Sequence, residues 1–266
     1  MRVAFQGQPG AYSEDAVLAC FEGAESLPCD SFGEVFAAVA SGNVDFGVIP
    51  IENSIAGSVH DNYDLLYRHQ LYITGECILK IRHCLIALPG VQVRDIKKAS
   101  SHPQALAQCA GYLRRKNIQP VEAYNTAGSV KLLKESGTRD TAAIASRRAA
   151  ELYGMQVLEE NIADHAENQT RFLILGREPV LPEGEAKTSI VFTLKDRPDA
   201  LSQALAVFAR HDIQLNKIEV RPFSGEPWGQ LYFLDFPGLP TVGALDQVGE
   251  YASKVRVLGS YPRFRG

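Results

Sequence analysis

Phe46-Gly47-Val48-Ile49-Pro50-Ile51-Glu52-Asn53-Ser54 is the stretch that decides the fold of this 266-residue chain. Its first half is a continuous apolar run, which is typical of a strand buried on both faces of a sheet. Its second half passes into polar residues, and a helix is predicted from Ser58 through Leu66. The stretch therefore predicts a strand followed by a helix, the repeating unit of α/β proteins.

The same alternation of short apolar runs and helical segments extends from Met1 to about Gly176. A strand over residues 3–5 leads into a helix that begins at Ser13. Ala142-Ala143-Ile144-Ala145 likewise leads into Ser146 and a further helix. Because strands and helices alternate in this way, the fold class is predicted to be α/β.

The tail of the chain has a different pattern. Residues 179–185 are rich in proline, glycine and acidic residues and have no period, so they are predicted to form a linker. Beyond them an alternating segment at 188–194 precedes a helix in which Leu201, Leu205 and Phe208 share one face. The order over the rest of the chain is βαββαβ, the split, ferredoxin-like arrangement.

Charge and hydropathy exclude several classes of function. The 27 Lys and Arg against 31 Asp and Glu residues give a formal charge of −4, so no positive field would hold nucleic acid. No apolar run approaches the roughly 18 residues of a membrane-spanning helix. Since Met1 leads directly into a strand-like segment without a signal-peptide pattern, we expect a cytoplasmic protein that does not associate with membranes.

The cysteines and histidines do not form metal-binding patterns. The five cysteines lie within the first 109 residues and never occur as C-x-x-C, which is typical of reduced cytosolic thiols. The six histidines are scattered singly, whereas zinc requires paired ligands at short spacing. No metal site is therefore predicted.

Hydroxyl residues recur where a predicted strand ends and a helix begins. Each can cap its helix by accepting a hydrogen bond from a backbone N–H. Turns at the carboxyl ends of strands also gather at one edge of a sheet, where helix N-termini favour an anion. Together they indicate a small carboxylate or phosphate ligand. These residues are Ser13, Ser54 or Ser58, Ser101, Thr126 and Ser146.

Motif spacing removes two further classes. Gly7-x-x-Gly10 follows a strand, but G-x-G-x-x-G and the P-loop lysine are absent, and no G-x-S-x-G nucleophile elbow is present. Asn168-Gln169-Thr170-Arg171-Phe172 remains as a candidate. It fits a strand entry with a surface arginine, but an arginine can also hold a carboxylate through two hydrogen bonds and a threonine can donate to a leaving oxygen.

Four ordered segments, with the tail that follows them, resemble the prephenate dehydratase family over nearly the whole chain. The tail resembles the phenylalanine-binding ACT domain, with Asp199-Ala200-Leu201 in place of Gly-Ala-Leu and Glu219-Val220-Arg221-Pro222 in place of Glu-Ser-Arg-Pro. The four segments are Gly7-Gln8-Pro9-Gly10-Ala11-Tyr12-Ser13, Pro50-Ile51-Glu52-Asn53-Ser54-Ile55-Ala56-Gly57-Ser58-Val59, Ser101-His102-Pro103-Gln104-Ala105-Leu106 and Asn168-Gln169-Thr170-Arg171-Phe172.

The resemblance implies a domain organisation. A catalytic domain over residues 1–178 would consist of two α/β subdomains like those of a type 2 periplasmic binding protein, with the active site in the cleft between them. Subdomain A would cover about 1–75 plus 165–178, and subdomain B about 76–164. A linker at 179–187 would precede a ferredoxin-like ACT regulatory domain at 188–266.

The resemblance also implies a reaction, in which prephenate loses carbon dioxide and water to give phenylpyruvate without a metal or organic cofactor. The enzyme would hold a dicarboxylate substrate and stabilise the departing hydroxyl group. Thr170 is assigned to that hydroxyl, Arg171 to a substrate carboxylate and Phe172 to an apolar wall. The residues expected around the substrate are Ser13, Asn53, Ser54, Ser101, His102, Asn168 and Gln169.

Two of these assignments have open alternatives, and one further residue, Glu52, has an expected supporting role. Arg171 could brace the cleft through an ion pair instead of binding substrate. His102 could be the general acid, since the ordinary pKa of histidine lies near neutrality. Glu52 is expected to orient its neighbours, because an ionised carboxylate would repel a dianion.

Regulation by phenylalanine is expected from the same resemblance. In the family the effector lies where ACT domains of different subunits meet, which implies a homodimer or homotetramer. The residues expected to contact it are Ala200, Leu201, Asn216 and Glu219.

Two rival functions are retained. Arogenate dehydratase would act on the amino analogue of prephenate, and Gln169 is the position suspected of deciding between the two substrates. A non-catalytic phenylalanine sensor or solute-binding module would use the same cleft without turnover. The missing signal peptide disfavours an exported solute-binding protein, and the intact Thr170-Arg171-Phe172 disfavours an inactive enzyme.

Overall fold

The computed structural model describes residues 1–223, 228–241 and 243–264, and it confirms the predicted α/β class. The strands are β1 (Arg2–Gln6), β2 (Glu25–Cys29), β3 (Phe46–Asn53), β4 (Gly57–Ser58), β5 (Tyr72–Lys80), β6 (Cys84–Ala87), β7 (Lys98–Ser101), β8 (Gln119–Glu122), β9 (Thr141–Ala145), β10 (Gln156–Glu159), β11 (Gln169–Gly176), β12 (Ala186–Leu194), β13 (Lys217–Pro222), β14 (Gln230–Pro237) and β15 (Ala252–Pro262).

The helices follow the strands as the sequence pattern predicts. Gly137 and Gly154 end two of them in the left-handed conformation (φ +65° and +66°), which glycine adopts readily. The helices are α1 (Tyr12–Cys20), α2 (Phe32–Ala40), α3 (His60–Arg68), α4 (Pro103–Gln108), α5 (Ala110–Lys116), α6 (Thr126–Ser136), α7 (Arg147–Tyr153), α8 (Ala200–Arg210) and α9 (Ala244–Gly249), with a 3₁₀ turn at Val93–Asp95.

Two sheets are built from the strands that precede β12. The first has the order β2-β1-β3-β11-β5, with the short β4 paired to β3, so the strand that carries Asn53 lies beside the strand that carries Thr170. The second has the order β10-β6-β9-β7-β8, in which β7 pairs in parallel with β8 and β9 while β6 is antiparallel.

The core of the second sheet is a cluster of buried apolar side chains. Leu85 and Ile144 on the strands pack with Leu106, Tyr112 and Leu113 on helices α4 and α5. Burial of this apolar area fixes both helices against the sheet, because it is the main favourable term in folding. The N-terminus of α4 is thereby held at the carboxyl end of β7.

The last sheet has the order β13-β14-β12-β15, which is that of the predicted ferredoxin-like arrangement. Helices α8 and α9 cover one face, where Phe192, Phe208 and Phe236 are buried together. Strand β12 begins at Ala186, within the range predicted as linker. The domain boundaries at 178 and 188 stay predictions.

The chain divides into two compact units. The first comprises Met1–Val35, Val48–Val59 and Ile78–Phe172. The second comprises Phe36–Gly47, His60–Cys77 and Leu173–Gly266, and so joins α3 to the last sheet. In the described part of the chain, no helix is long and apolar enough to cross a membrane.

Within the second unit, partly buried polar contacts fix α3 and β5 to the last sheet. Lys187 Nζ donates to both carboxylate oxygens of Glu76 at 2.7 Å. The guanidinium of Arg256 donates to the carbonyl oxygens of Tyr67, His69 and Leu71 at the end of α3. Tyr67 lies in the last turn of α3 and the other two residues follow it, so Arg256 binds the C-terminal end of the helix and the segment after it.

Candidate active site

The first compact unit contains a cavity of about 310 Å³ that both of its sheets help to line. We call it the polar cavity. It brings five of the predicted site residues together: Ser13, Asn53, His102, Thr170 and Phe172. The other lining residues are Gln6, Tyr12, Phe32, Pro50, Val59, Ile81, His83, Gln104, Ala105, Gln108 and Thr126.

Three helices begin at the polar cavity. Tyr12 and Ser13 open α1, His102 is the N-cap of α4, and Thr126 opens α6. Helix N-termini present unpaired N–H groups and the positive end of the helix dipole. These N-termini therefore favour an anion in the cavity.

The side chains that cap these helices differ from those expected. His102 Nδ1 accepts from the N–H of Gln104, and Asn125 caps α6 by accepting from Gly128. Ser101 Oγ instead donates to the carbonyl of Ile144 at 2.6 Å, and Ser13 lies inside α1. Ser101 thus joins β7 to the neighbouring strand and does not line the cavity.

Asn53 is the centre of a hydrogen-bond cluster beside Thr170. Its Nδ2 donates to Asn168 Oδ1 at 2.7 Å and to Thr170 Oγ1 at 2.9 Å. Its Oδ1 accepts from the N–H groups of Ile55 and Ala56. Because these bonds fix the amide orientation, Thr170 Oγ1 is an acceptor towards Asn53, and the hydroxyl hydrogen remains available to an acceptor in the cavity.

The structure adds three residues that the sequence reasoning missed: Tyr12, His83 and Gln108. Gln108 Oε1 accepts from Asn168 Nδ2 and lies 2.9 Å from His83 Nε2, and Tyr12 Oη lies 2.9 Å from His83 Nδ1. A chain of hydrogen bonds therefore runs from Tyr12 to Asn53. The sequence did contain a signal for Gln108. Gln104 and Gln108 are four residues apart on α4, and residues at that spacing share a helix face.

The electrostatic potential in the polar cavity does not come from charged side chains of the described lining residues. Among the described residues that line it, none is Asp, Glu, Lys or Arg. Burial lowers the pKa of His83, although the bond to Gln108 opposes this, and burial also lowers the pKa of His102. Burial thus favours the neutral form of both imidazoles, and the helix N-termini supply positive potential for an anion.

Arg171 lies outside the polar-cavity lining. Its Nη1 is 3.0 Å from Glu52 Oε1, and 9% of its side chain is exposed. This is the ion-pair arrangement that the sequence left open as the alternative to carboxylate binding. Because a buried guanidinium needs a counter-charge, the pair holds β11 beside β3 directly next to Thr170.

Ser54 and Gln169 are hydrogen-bonded to each other and do not line the polar cavity. The N–H of Gln169 donates to Ser54 Oγ at 3.0 Å, and the N–H of Ser54 donates to the carbonyl of Gln169 at 2.8 Å. Asn168 also does not line the cavity, but its side chain connects Asn53 to Gln108. These three residues support the residues that face the cavity.

The predicted effector residues lie in the second compact unit. Ala200 is buried and Leu201 is 38% exposed, both in the first turn of α8. Asn216 precedes β13, where its N–H donates to the carbonyl of Asp235. Glu219 lies on β13, 3.5 Å from His60 Nε2.

Comparisons with known proteins agree with this geometry. The model of the prephenate dehydratase family matches residues 3–180. A curated relative from Arabidopsis thaliana, arogenate dehydratase/prephenate dehydratase 1, chloroplastic, is 46% identical over 282 residues, covering 98% of this chain and 72% of its own length.

Two solved structures are similar along the whole chain. The prephenate dehydratase of Arthrobacter aurescens in complex with L-Phe has a TM-score of 0.91 at 32% identity, covering 99% of this chain and 90% of its own. The quorum-quenching acylase GqqA has a TM-score of 0.91 at 33% identity, covering 99% of this chain and 98% of its own. The similarity therefore includes the last sheet as well as the polar cavity.

Proposed function

Because this chain belongs to the prephenate dehydratase family and is a dehydratase of phenylalanine biosynthesis, we propose that its substrate is prephenate and that the polar cavity is the active site. One observation carries the proposal. Asn53 and Thr170 meet at the carboxyl end of β3, beside helix N-termini that favour a dianion. No metal or organic cofactor takes part in the proposed reaction.

The reaction needs alignment more than chemical activation. The bond between the ring and its carboxylate breaks, its electron pair enters the ring, and the ring C–O bond breaks as hydroxide leaves. The prephenate dianion thus gives phenylpyruvate, carbon dioxide and hydroxide, with charge conserved. Since aromatisation supplies the driving force, the protein holds the leaving groups in position and stabilises the departing oxygen.

Thr170 is assigned to the departing oxygen. The bond from Asn53 leaves the hydroxyl hydrogen of Thr170 available to it, and a hydrogen bond that strengthens as charge develops lowers the barrier. Phe172 and Ile81 would be apolar walls against the ring. Arg171 is assigned to the ion pair with Glu52, and it therefore helps to position the adjacent Thr170.

The polar groups of the cavity favour prephenate over arogenate. Arogenate carries an ammonium group where prephenate has a ketone, and a buried ammonium requires an anionic or strongly accepting partner. The described lining residues include no carboxylate, whereas Gln104, Gln108 and Thr126 offer neutral donors. Gln169, the position suspected from sequence, pairs its backbone with Ser54 and does not line the cavity.

The proposed preference is tested by kcat/KM on both substrates with the purified full-length chain. We expect phenylpyruvate formation from prephenate to exceed phenylalanine formation from arogenate. A higher kcat/KM on arogenate would reassign the substrate while keeping the dehydratase, and no turnover of either would favour a sensor. Acylase activity, assayed in parallel because of the GqqA likeness, would indicate a different reaction.

Regulation by phenylalanine is part of the proposal. The last sheet would be an ACT domain, and Ala200, Leu201, Asn216 and Glu219 would contact the effector in a homodimer or homotetramer. The complex of the Arthrobacter relative with L-Phe supports this assignment. If saturating phenylalanine changed neither the kcat/KM of the full chain nor its thermal unfolding temperature, the assignment would be wrong.

Cytoplasmic location stays a prediction. The Arabidopsis relative is named as chloroplastic. Fractionation of cells that express the native gene would decide the location.

A further inference from the structure

A second cavity, of about 540 Å³, lies within the second compact unit. We call it the basic cavity. Its size is within the range of small-molecule sites, roughly 300–1,000 Å³. None of the four predicted effector residues lines it. Residues of α3, β5, β13, β14 and β15 line it.

Positive charge exceeds negative charge around the basic cavity. Arg68, Lys254 and Arg256 line it, against the single carboxylate of Asp64. That carboxylate is already held by Arg221, whose Nε and Nη2 lie 3.2 and 3.3 Å from its two oxygens. Counted with Arg221, four cations surround this one carboxylate, so the net charge is positive and the cavity attracts an anion.

Arg256 is fixed, whereas Lys254 is exposed. Arg256 donates to the carbonyls of Tyr67, His69 and Leu71 at 2.8–3.2 Å. Partial burial lowers the pKa of its guanidinium. Lys254 Nζ lies 5.7 Å from the centroid of the Tyr67 ring. A ligand carboxylate would therefore meet the exposed ammonium of Lys254 in a cavity that the guanidinium of Arg256 also lines.

Three of the residues that line the basic cavity are aromatic. Tyr67 and Phe223 pack edge to face with centroids 5.4 Å apart, and Tyr72 lines the same cavity. Aromatic side chains bind planar ligands through stacked or edge-to-face contacts. Planar walls with an excess of cations match a ring that bears a carboxylate, whereas a polyanion such as a phosphate chain would gain nothing from these walls.

We propose that the basic cavity binds a small aromatic carboxylate, with the carboxylate at Lys254 and the ring against Tyr72 and Phe223. Such a ligand would bridge α3 and β5 to the last sheet.

The probe for this site is 4-hydroxyphenylacetate, which lacks the ammonium group of phenylalanine. Its affinity is measured by calorimetric titration of the full chain, of Lys254→Gln, of Phe223→Ala and of the control Lys98→Gln. Lys98 is an exposed lysine on β7. Thermal unfolding of each variant shows that the fold is intact.

We expect Lys254→Gln to weaken binding about tenfold, because it removes the positive charge that the carboxylate would contact. A tenfold change corresponds to about 1.4 kcal/mol. Phe223→Ala should weaken it by a similar factor, and Lys98→Gln should not change it. The amide 4-hydroxyphenylacetamide should bind more weakly than the acid. Wild-type affinity in both Lys254→Gln and Phe223→Ala, or no heat from wild type up to about 10 mM probe, would overturn the proposal.

Discussion

The side-chain nitrogen of Asn53 donates to the hydroxyl oxygen of Thr170 across 2.9 Å, although the two residues lie 117 positions apart in the chain. This bond decides whether the threonine hydroxyl donates or accepts a hydrogen bond in the cavity. The oxygen accepts from the amide, so the hydroxyl serves the cavity as a donor. The catalytic role proposed for Thr170 depends on this neighbour as much as on the threonine itself.

Removal of the Thr170 hydroxyl should lower kcat. Thr170→Val keeps the shape but deletes the donor, and the loss of one donor to a developing oxyanion typically lowers kcat by about 10²–10³. Thr170→Ser keeps the hydroxyl and should retain most of the activity. Kinetics on prephenate measures both, and a fully active Thr170→Val would remove Thr170 from the mechanism.

Asn53→Asp should reverse the hydrogen-bond polarity beside Thr170. The new carboxylate would accept the threonine hydrogen. It would also repel Asn168 Oδ1, which in the wild type accepts a hydrogen bond from Asn53. It also repels a dianion, so kcat should fall and KM should rise. Asn117→Asp, at an exposed helix end, is the matched control. Unchanged kinetics in Asn53→Asp would contradict the proposed geometry.

Asp15 should make stability depend on pH. Burial raises its pKa to about 6, although Arg148 opposes the shift. The folded state therefore binds the proton more tightly than the unfolded chain, and stability rises as pH falls from above 6 towards the unfolded value near 3.9. Asp15→Asn should raise the unfolding temperature relative to wild type near pH 7.5 more than near pH 4. An equal difference at both values would contradict the assignment.

The Lys187–Glu76 pair should be costly to break from one side. Only 12% and 1% of the two side chains are exposed, so Lys187→Met leaves a buried carboxylate without its cation. Such losses are typically about 3–5 kcal/mol. The double variant Lys187→Met/Glu76→Leu removes both charges and should recover much of the stability in urea unfolding. A double variant no more stable than Lys187→Met would argue against this explanation.

Gly259 should tolerate no side chain. A Cβ atom at this position on β15 would meet the carbonyl of Ile73, which is backbone on β5 and cannot rotate away. Gly259→Ala should therefore lower the unfolding temperature by several degrees. Gly249→Ala is the control, because a Cβ there meets nothing within 4 Å. Equal unfolding temperatures for the two variants would contradict the close approach.

Much of the fold could be predicted from local pattern. The alternation of apolar runs and helical segments predicted the α/β class, and the tail predicted the βαββαβ order that the last sheet has. Boundaries differed by a few residues: α3 begins at His60 and not at Ser58, because Gly57 and Ser58 form β4. A two-residue strand has too short a pattern to be recognised in sequence.

The candidate site was predictable in part. Thr170, Asn53, Ser13, His102 and Phe172 do line one cavity. Arg171, which sequence assigned to a carboxylate, lies in an ion pair with Glu52. Nothing near Arg171 in the chain signals this, because Glu52 is 119 positions away and becomes a neighbour only when β3 and β11 pair.

The sequence by itself determined which segments form strands and helices, and which family the chain resembles, since periodicity, turn residues and motifs act over a few positions. Only the tertiary structure decided which side chain completes which bond. It places Tyr12, His83 and Gln108 in the polar cavity, pairs Arg171 with Glu52, and forms the basic cavity beside α3. Those partners are set by how strands order in a sheet and how helices pack on it, and no local pattern encodes such contacts between residues distant in the chain.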